Sequence, residues 1–560
     1  MSLSANAQRL DAIGKADPLK ISGSFSTNQI AYFGGGNGNG RDPYTLFVTG
    51  NLNLDIYGWA VPLGFSISNQ SKGRFQQPFN QYSLHPSYKW VTAHVGYTSM
   101  SFSSYTLNNH LFSGVGADLA PKGPFKFNLM YGRLQKAVVT DSSTVNGSID
   151  PAFKRMGYGL KGTYSRKRDF LSLILFKAKD DVNSNLAINR NSLITPQENF
   201  VSGINISKIF LKKFIITGEL GLSALTRNQW SQQDSGRQAA SVFAPVLNLN
   251  RSTALYTAYK GNLAYGGKKY TVGLGYERVA PEYKTLGAYY FTNDFENITV
   301  NVSTKMLKDK LSLAATSGIQ HDDLRKDKQS ATSRFVGSLN MAYQFNKKLS
   351  ITTTYSSFQS FVNIRPAFNQ INALTPYDNL DTLNYTQISQ NINVNANYVL
   401  RQDKEKTGVL NANFSLMTSA DKQGGNTQNS GGAFYNFNAS YSISLVPKNL
   451  SINYSLNAST SKGGPMRTTT LGPTIGANRT FFDKKVRSGL STSWNGSFNE
   501  GKPGSSVLNL RINSSYVVKK KHNLNLSMVA LSRGAQKTST RANSRSFREF
   551  TTTLGYNYNF

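Results

Sequence analysis

Residues 450–458 read LSINYSLNA, and this stretch decides the fold. Its even positions are Leu450, Ile452, Tyr454, Leu456 and Ala458; between them lie Ser451, Asn453, Ser455 and Asn457. Successive side chains of an extended strand point to opposite faces, so this is a strand with one apolar face and one fully polar face. The split recurs upstream. Tyr435, Phe437, Ala439, Tyr441, Ile443 and Leu445 alternate with Asn436, Asn438, Ser440, Ser442 and Ser444. Ile388, Ile392, Val394, Ala396, Tyr398 and Leu400 share a face opposite Ser389, Asn391, Asn393, Asn395 and Asn397. Each run reaches the roughly 9–11 residues a tilted strand needs to cross a bilayer.

A soluble sandwich alternates too, and the turns separate the two cases. Basic turns stand at Arg166-Lys167-Arg168, Lys212-Lys213, Lys268-Lys269, Lys308-Asp309-Lys310 and Lys347-Lys348. They continue at Lys404-Glu405-Lys406, Lys448, Lys484-Lys485 and Lys519-Lys520-Lys521, about 44 residues apart. Each interval holds two strands and a longer connector rich in Gly, Asn, Ser, Gln and Pro, such as 226–250 or 359–381. Short turns at one end and long loops at the other are the layout of an outer-membrane barrel. Aromatics beside the turns, at Trp59, Trp90, Phe345 and Phe481-Phe482, fall where interfacial girdles belong. Lipid offers backbone groups no water, so such a sheet must close on itself. The expectation is an all-β fold: a large antiparallel up-and-down transmembrane β-barrel of about 26 strands (range 22–28), from Lys20–Phe33 to Arg548–Phe560. An even strand number places both termini in the periplasm.

The whole chain agrees. Its 560 residues include 33 Phe, 29 Tyr and 47 Gly, with no Cys, and 62 basic against 29 acidic side chains give a net charge of +33. No run of about 18 apolar residues exists, which excludes a helical membrane protein. Aromatic and β-branched residues are too frequent for a disordered chain. Without cysteine there are no disulfides, thiolate metal sites or thiol catalysis. Nucleic acid is not the expected partner, because the aromatics follow lipid-facing periodicity rather than a basic patch.

The chain ends Leu554-Gly555-Tyr556-Asn557-Tyr558-Asn559-Phe560. Alternating aromatics finishing in a terminal Phe resemble the last-strand signal of Gram-negative outer-membrane β-barrel proteins. That resemblance implies that Tyr556, Tyr558 and Phe560 are read by the barrel-assembly machinery. The Asn- and Tyr-rich texture, and Ala5-Asn6-Ala7 standing as an A-x-A cleavage site before Gln8, resemble exported proteins of Bacteroidota. On this reading residues 1–7 are the remnant of a signal peptide, 8–19 a short periplasmic segment, and 20–560 the barrel with long external loops. The dozen residues before the first strand are too few for a separate plug domain.

Chemistry in the wall is not expected. The histidines are His85, His94, His110, His321 and His522, and only His321 adjoins acids, Asp322 and Asp323. That cluster has no partner for hydrolytic or metal work. Asp180-Asp181 falls short of the six to eight oxygens calcium takes. Gly34 to Gly40 (GGGNGNG) lacks the lysine and helix of a phosphate loop. No catalytic, cofactor-binding or metal residues are therefore assigned.

Two inward cations are expected. Lys126 lies opposite Phe125, Phe127, Leu129 and Tyr131, and Arg511 lies between Asn509 and Asn513. A basic lumen raises the local anion concentration. Arg533, Lys537, Arg541 and Arg545, assigned to the last external loop, would meet lipopolysaccharide phosphates. An unfilled ring of this size would breach the envelope, so connectors 141–155, 180–199, 226–254 and 359–381 are expected to fold inward. Two functions follow. One is a porin-like channel narrowed by those loops and favouring anionic solutes. The other is a non-enzymatic scaffold barrel of a secretion or assembly complex, its lumen filled or covered by a partner protein.

Overall fold

The computed structural model describes residues 19–35, 43–56, 59–69, 80–138, 151–185, 188, 190, 194–233, 243–289, 293–326, 333–357, 390–419, 422–423, 426–427, 432–464, 466–535 and 546–560. Twenty-six antiparallel strands form one ring. They begin with β1 (Leu19–Gly35), β2 (Tyr44–Ile56) and β3 (Trp59–Ser68). Gln81–Leu84 and Ser87–Tyr88 are two pieces of β4, parted at His85-Pro86. Next come β5 (Val91–Met100), β6 (His110–Leu119), β7 (Phe125–Gln135), β8 (Lys154–Arg166), β9 (Asp169–Asp181), β10 (Glu198–Phe210) and β11 (Phe214–Thr226). They are followed by β12 (Thr253–Gly266), β13 (Tyr270–Val279), β14 (Phe295–Met306), β15 (Leu311–Asp322), β16 (Ser333–Gln344), β17 (Leu349–Ser356), β18 (Gln390–Gln402) and β19 (Lys406–Ser419). The last are β20 (Gly432–Leu445), β21 (Leu450–Gly463), β22 (Met466–Phe481), β23 (Val486–Asn499), β24 (Lys502–Val518), β25 (His522–Ala535) and β26 (Phe547–Asn559). A separate ribbon, Lys422–Gln423 against Asn426–Thr427, stands outside the ring.

Closure is made by β1 against β26, with Phe25 opposite Tyr558 and Thr27 opposite Tyr556. Gly23 and the terminal Phe560 exchange backbone hydrogen bonds of 3.1 Å in both directions, sealing the seam. His522 Nδ1 lies 2.8 Å from the Tyr556 hydroxyl, and its ring stacks on Tyr558, which in turn stacks on Phe560. Once closed, the sheet has no edge and every strand is paired on both sides, as a lipid environment demands.

Which face is inside follows from a chord. The nine residues 101–109 join β5 to β6, yet Tyr105 bonds Glu219 on β11 and Glu277 on β13. So short a segment reaches strands that far round the ring only through its interior. Glu219 and Glu277 therefore face in, and Leu220 and Tyr276, their neighbours in sequence, face out. The outward set is apolar and exposed: Leu173, Leu274, Ile298, Leu456, Leu490 and Leu508 are examples. The inward set of β18 to β24 is largely Asn, Ser and Thr. Inward amides bond across strands, as in Asn411 to Asn397 at 2.7 Å. Among the described residues no helix is long and apolar enough to cross a membrane; strands make the crossing.

The expected strand order holds throughout, with shifts at some ends. A strand from Ala288 to Thr304 was expected, whereas β14 starts at Phe295, because 280–289 leaves the wall and turns inward. The strands expected from Val409 and Val507 start at Lys406 and Lys502, and of the strand expected from Tyr385 residues 385–389 lie outside the described ones.

Candidate functional site

The interior segment is built from alternating needs. Phe102, Tyr105 and Leu107 are apolar and buried, and Ser103, Thr106 and Asn108 knit the turn between them. Phe102 N donates to Leu107 O at 2.8 Å, and the Ser103 and Thr106 hydroxyls lie 2.8 Å apart. Asn109 takes a left-handed φ of 49°, which suits asparagine and redirects the chain into β6.

The wall makes room for this segment with glycine. A Cβ on Gly159 would lie 2.5 Å from the Phe102 ring, and one on Gly221 would lie 2.7 Å from Tyr105 Cβ. Around these gaps the inward face turns apolar. Phe102 and Leu107 join Met130, Ile174, Phe176 and Val201 in one core, and Tyr105 joins Leu225, Tyr256 and Tyr283 in another.

Charged groups then pin the segment. The Tyr105 hydroxyl donates to Glu277 Oε1 at 2.6 Å, and its backbone N–H to Glu219 Oε1 at 3.2 Å. Lys260 Nζ donates to Ser104 Oγ at 2.7 Å and pairs with Glu219 Oε2 at 3.0 Å. From β8, Lys161 Nζ donates to Phe102 O at 2.8 Å. Burial, reinforced by Glu277 and Glu219, holds the Tyr105 phenol far above its usual range, so it stays a donor.

A second inward segment, 280–289, clasps the first. Tyr283 Oη donates to Tyr105 O at 2.6 Å, Thr285 Oγ1 to Thr106 O at 2.7 Å, and Asn108 N to Gly287 O at 2.9 Å. Asn199 and Ser223 on the wall accept Leu286 N–H and donate to Lys284 O respectively. Tyr289 stacks on His110 with ring centres 4.0 Å apart. Burial also raises the Tyr283 phenol. Beneath these segments the wall from β9 to β15 forms a polar recess of about 570 Å³, lined by groups such as Asn205, Glu219, Asn262, Glu277, Asn301 and Thr316. Two short segments, anchored to a third of the ring, thus occupy one side of the lumen.

These are not the connectors expected to fold inward. Of 226–254, Phe243 and Leu247 pack against Ala224, which shares the outward face of Leu220, so that part covers the outside of the wall. Lys177, paired with Glu198 at 3.1 Å on the same outer side, also donates to Val246 O at 2.7 Å. In 141–155 the residues 141–150 lie outside the described ones, while Ala152 and Phe153 are buried near the rim. In 180–199 the acids are structural: Arg155 grips Asp180 through Nε and Nη2 at 2.7 and 3.0 Å, filling the place considered for calcium. Connector 359–381 lies outside the described residues.

Lys126 sits on β7 opposite Thr163, on the inward face. Arg511 sits on β24 between Ser491 and Val529, also inward. Arg533 lies within β25 rather than in a loop, paired with Val507, its guanidinium 5.8 Å from the Phe547 ring centre. Lys537, Arg541 and Arg545 lie outside the described residues, as do residues 1–18 with the cleavage motif. His321 and Asp322 end β15, and among the described residues no three or more His, Cys, Asp or Glu side chains converge so as to hold a metal ion.

One inward cluster escaped sequence reasoning. His85 Nδ1 lies 2.8 Å from His94 Nδ1, His94 Nε2 lies 2.9 Å from Asp118 Oδ2, and Asn128 donates to the other Asp118 oxygen. Its signal was positional, since His94, Asp118 and Asn128 all occupy the polar phase of their strands.

No protein-family model matches the chain, and no curated protein matches it in sequence. Solved structures similar to it are Gram-negative outer-membrane barrels. OccAB2 of Acinetobacter baumannii is 9% identical, with 96% of this chain and 98% of that one covered, at a TM-score of 0.33. The ferric citrate transporter FecA is 10% identical, with 96% and 78% covered, at 0.38. OprD of Pseudomonas aeruginosa is 6% identical, with 65% and 90% covered, at 0.29. These likenesses say nothing of any solute handled by this chain.

Proposed function

We propose that the barrel is a passive passage for small polar solutes across the bacterial outer membrane, narrowed by segments 101–109 and 280–289. The observation that carries this reading is the pinning of residues 101–109 inside the ring by Glu219, Glu277, Lys161 and Lys260. Rings of 16–18 strands already leave a water-filled channel, and a larger one needs something rigid inside it to stay selective. The facing strands, β18 to β24, offer a hydrated wall of amides and hydroxyls with which a passing solute exchanges hydrogen bonds at little cost.

A modest anion preference fits the inward charges. Where the segments sit, Lys161 and Lys260 are offset by Glu219, Glu277 and Asp118. On β23 to β26 the inward guanidinia Arg487, Arg511 and Arg533 face one inward carboxylate, Glu549. Registers place Arg487 beside Ser515, Arg511 beside Ser491 and Arg533 beside Val507, so the three climb the wall instead of forming one ring. Lys126 adds an inward cation on β7. The first strand begins and the last strand ends at the tight-turn rim, which on this reading is periplasmic, with Tyr556, Tyr558 and Phe560 serving assembly.

Swelling of proteoliposomes tests the proposal. Arabinose should enter readily, and gluconate should enter faster than a cation of equal size. Proteoliposomes that hold folded protein yet exclude every small solute would instead favour a scaffold whose lumen a partner occupies.

A further inference from the structure

The tight-turn rim is the most strongly charged part of the described molecule. Every described turn on it carries Lys or Arg, from Lys89 between β4 and β5 round to Lys519-Lys520-Lys521 between β24 and β25. Several of these lysines take left-handed backbone angles: φ is 60° at Lys167, 59° at Lys212, 56° at Lys308 and 69° at Lys484. Glycine or asparagine adopts that conformation with less strain. Lysine at these tips is thus kept against local backbone preference, which points to a use for the charge itself.

Apolar side chains stand beside the cations. Leu211 is 77% exposed and Leu307 55%, each at the tip of a turn next to lysine, and Phe482, 74% exposed, stands two residues before Lys484. Just inward lie aromatic pairs such as Phe210 with Phe214 and Phe481 with Phe482. Nearby acids are partly engaged, Asp169 by Lys208 at 2.7 Å and Asp403 by Arg401. Among the described residues Lys212, Lys268, Lys484 and Lys519 make no ion pair. An apolar tip flanked by ammonium groups, at the end of a membrane-crossing strand, suits the boundary between acyl chains and headgroups.

We infer that this rim is a collar that binds the anionic phospholipid headgroups of the leaflet it meets. The alkyl stems and apolar tips lie at the acyl boundary, and the ammonium groups meet headgroup phosphates. The inference does not depend on whether the lumen conducts.

The test uses the full chain in vesicles of phosphatidylcholine alone, and of phosphatidylcholine with phosphatidylglycerol as the minority lipid. The temperature at which the folded, compact form is lost on heating should be higher with phosphatidylglycerol at low salt, and the difference should shrink at high salt. A variant carrying Lys212→Gln, Lys213→Gln, Lys268→Gln and Lys269→Gln should match the wild type in phosphatidylcholine and lose much of the gain. Each lysine removed should weaken headgroup partition roughly fivefold at low salt. On the wild-type barrel, spin-labelled phosphatidylglycerol should be immobilised in preference to spin-labelled phosphatidylcholine, a readout that survives if the variant fails to fold. Equal midpoints in both vesicles, equal immobilisation of both lipids, or a gain untouched by the four substitutions would overturn the collar.

Discussion

Replacing Tyr105 by Phe isolates the hydroxyl that ties the inner segment to the opposite wall. The ring stays beside Gly221, so packing is kept, and only the 2.6 Å bond to Glu277 is lost. Glu277 Oε2 retains Asn297 at 3.3 Å, but Oε1 loses its phenolic donor. A hydrogen bond to a charged acceptor contributes about 1.5–3 kcal/mol, which corresponds to a roughly 10- to 150-fold rise in the population of the released segment. Hydrogen exchange read by mass spectrometry on peptides covering 101–109 measures this directly. The backbone N–H groups of Tyr105 and Asn108, bonded to Glu219 and Gly287, should exchange faster by that factor, while peptides from β18 to β24 should not change. Tyr283→Phe removes a bond to a neutral carbonyl, worth about 0.5–1.5 kcal/mol, and should give a rise of roughly 2- to 13-fold. Unchanged exchange in 101–109, or an equal rise over the whole barrel, would refute the idea that this hydroxyl pins the segment.

Gly221→Val drives a side chain into Tyr105 and Tyr283 and should cost about 1–3 kcal/mol, raising conductance or its noise. A Cβ at Gly261 would meet nothing closer than 3.9 Å, so Gly261→Ala should leave both unchanged. Phe414→Lys puts a charge on the lipid face near the middle of β19 at a cost of about 2–4 kcal/mol, and the yield of folded, heat-resistant protein should fall. Asn413→Lys, one residue away and inward, should assemble normally in the same assay. Arg511→Ser should lower the anion-to-cation permeability ratio in a salt-gradient reversal measurement, with unit conductance nearly retained. Phe560→Ala should reduce the fraction of chains that reach the membrane in folded form, measured by fractionation after expression.

The strands were legible because each must show lipid one face, and a bilayer enforces that rule on nearly every residue of the wall. Where the rule lapsed, the sequence was signalling burial on both sides. In β9 the run from Phe170 to Ala178 is apolar in both phases: Leu171, Leu173 and Leu175 face lipid, whereas Ile174, Phe176 and Ala178 are covered by the inner segments. Read as an ordinary strand, that double apolarity went unused. Glu219 and Glu277 were similar clues, single carboxylates in otherwise apolar or glycine-rich strands. Residues 101–109 form a connector shorter than any of those expected to fold inward. Nine residues suffice when the wall recedes to glycine at positions 159 and 221. Tyr289, aromatic in a region that resembles strand, stays half exposed and lays its ring over the buried His110, a contact between segments far apart in sequence. Such pairings are set by ring closure, which local pattern does not encode.

Single-channel conductance of the purified protein in a planar bilayer tests the central claim most directly. A loop-narrowed passage predicts stable steps well below the conductance of an empty ring of this size, with larger or noisier steps in Tyr105→Phe. Folded protein that inserts and stays electrically silent, or that conducts as an unobstructed hole insensitive to Tyr105, would contradict it.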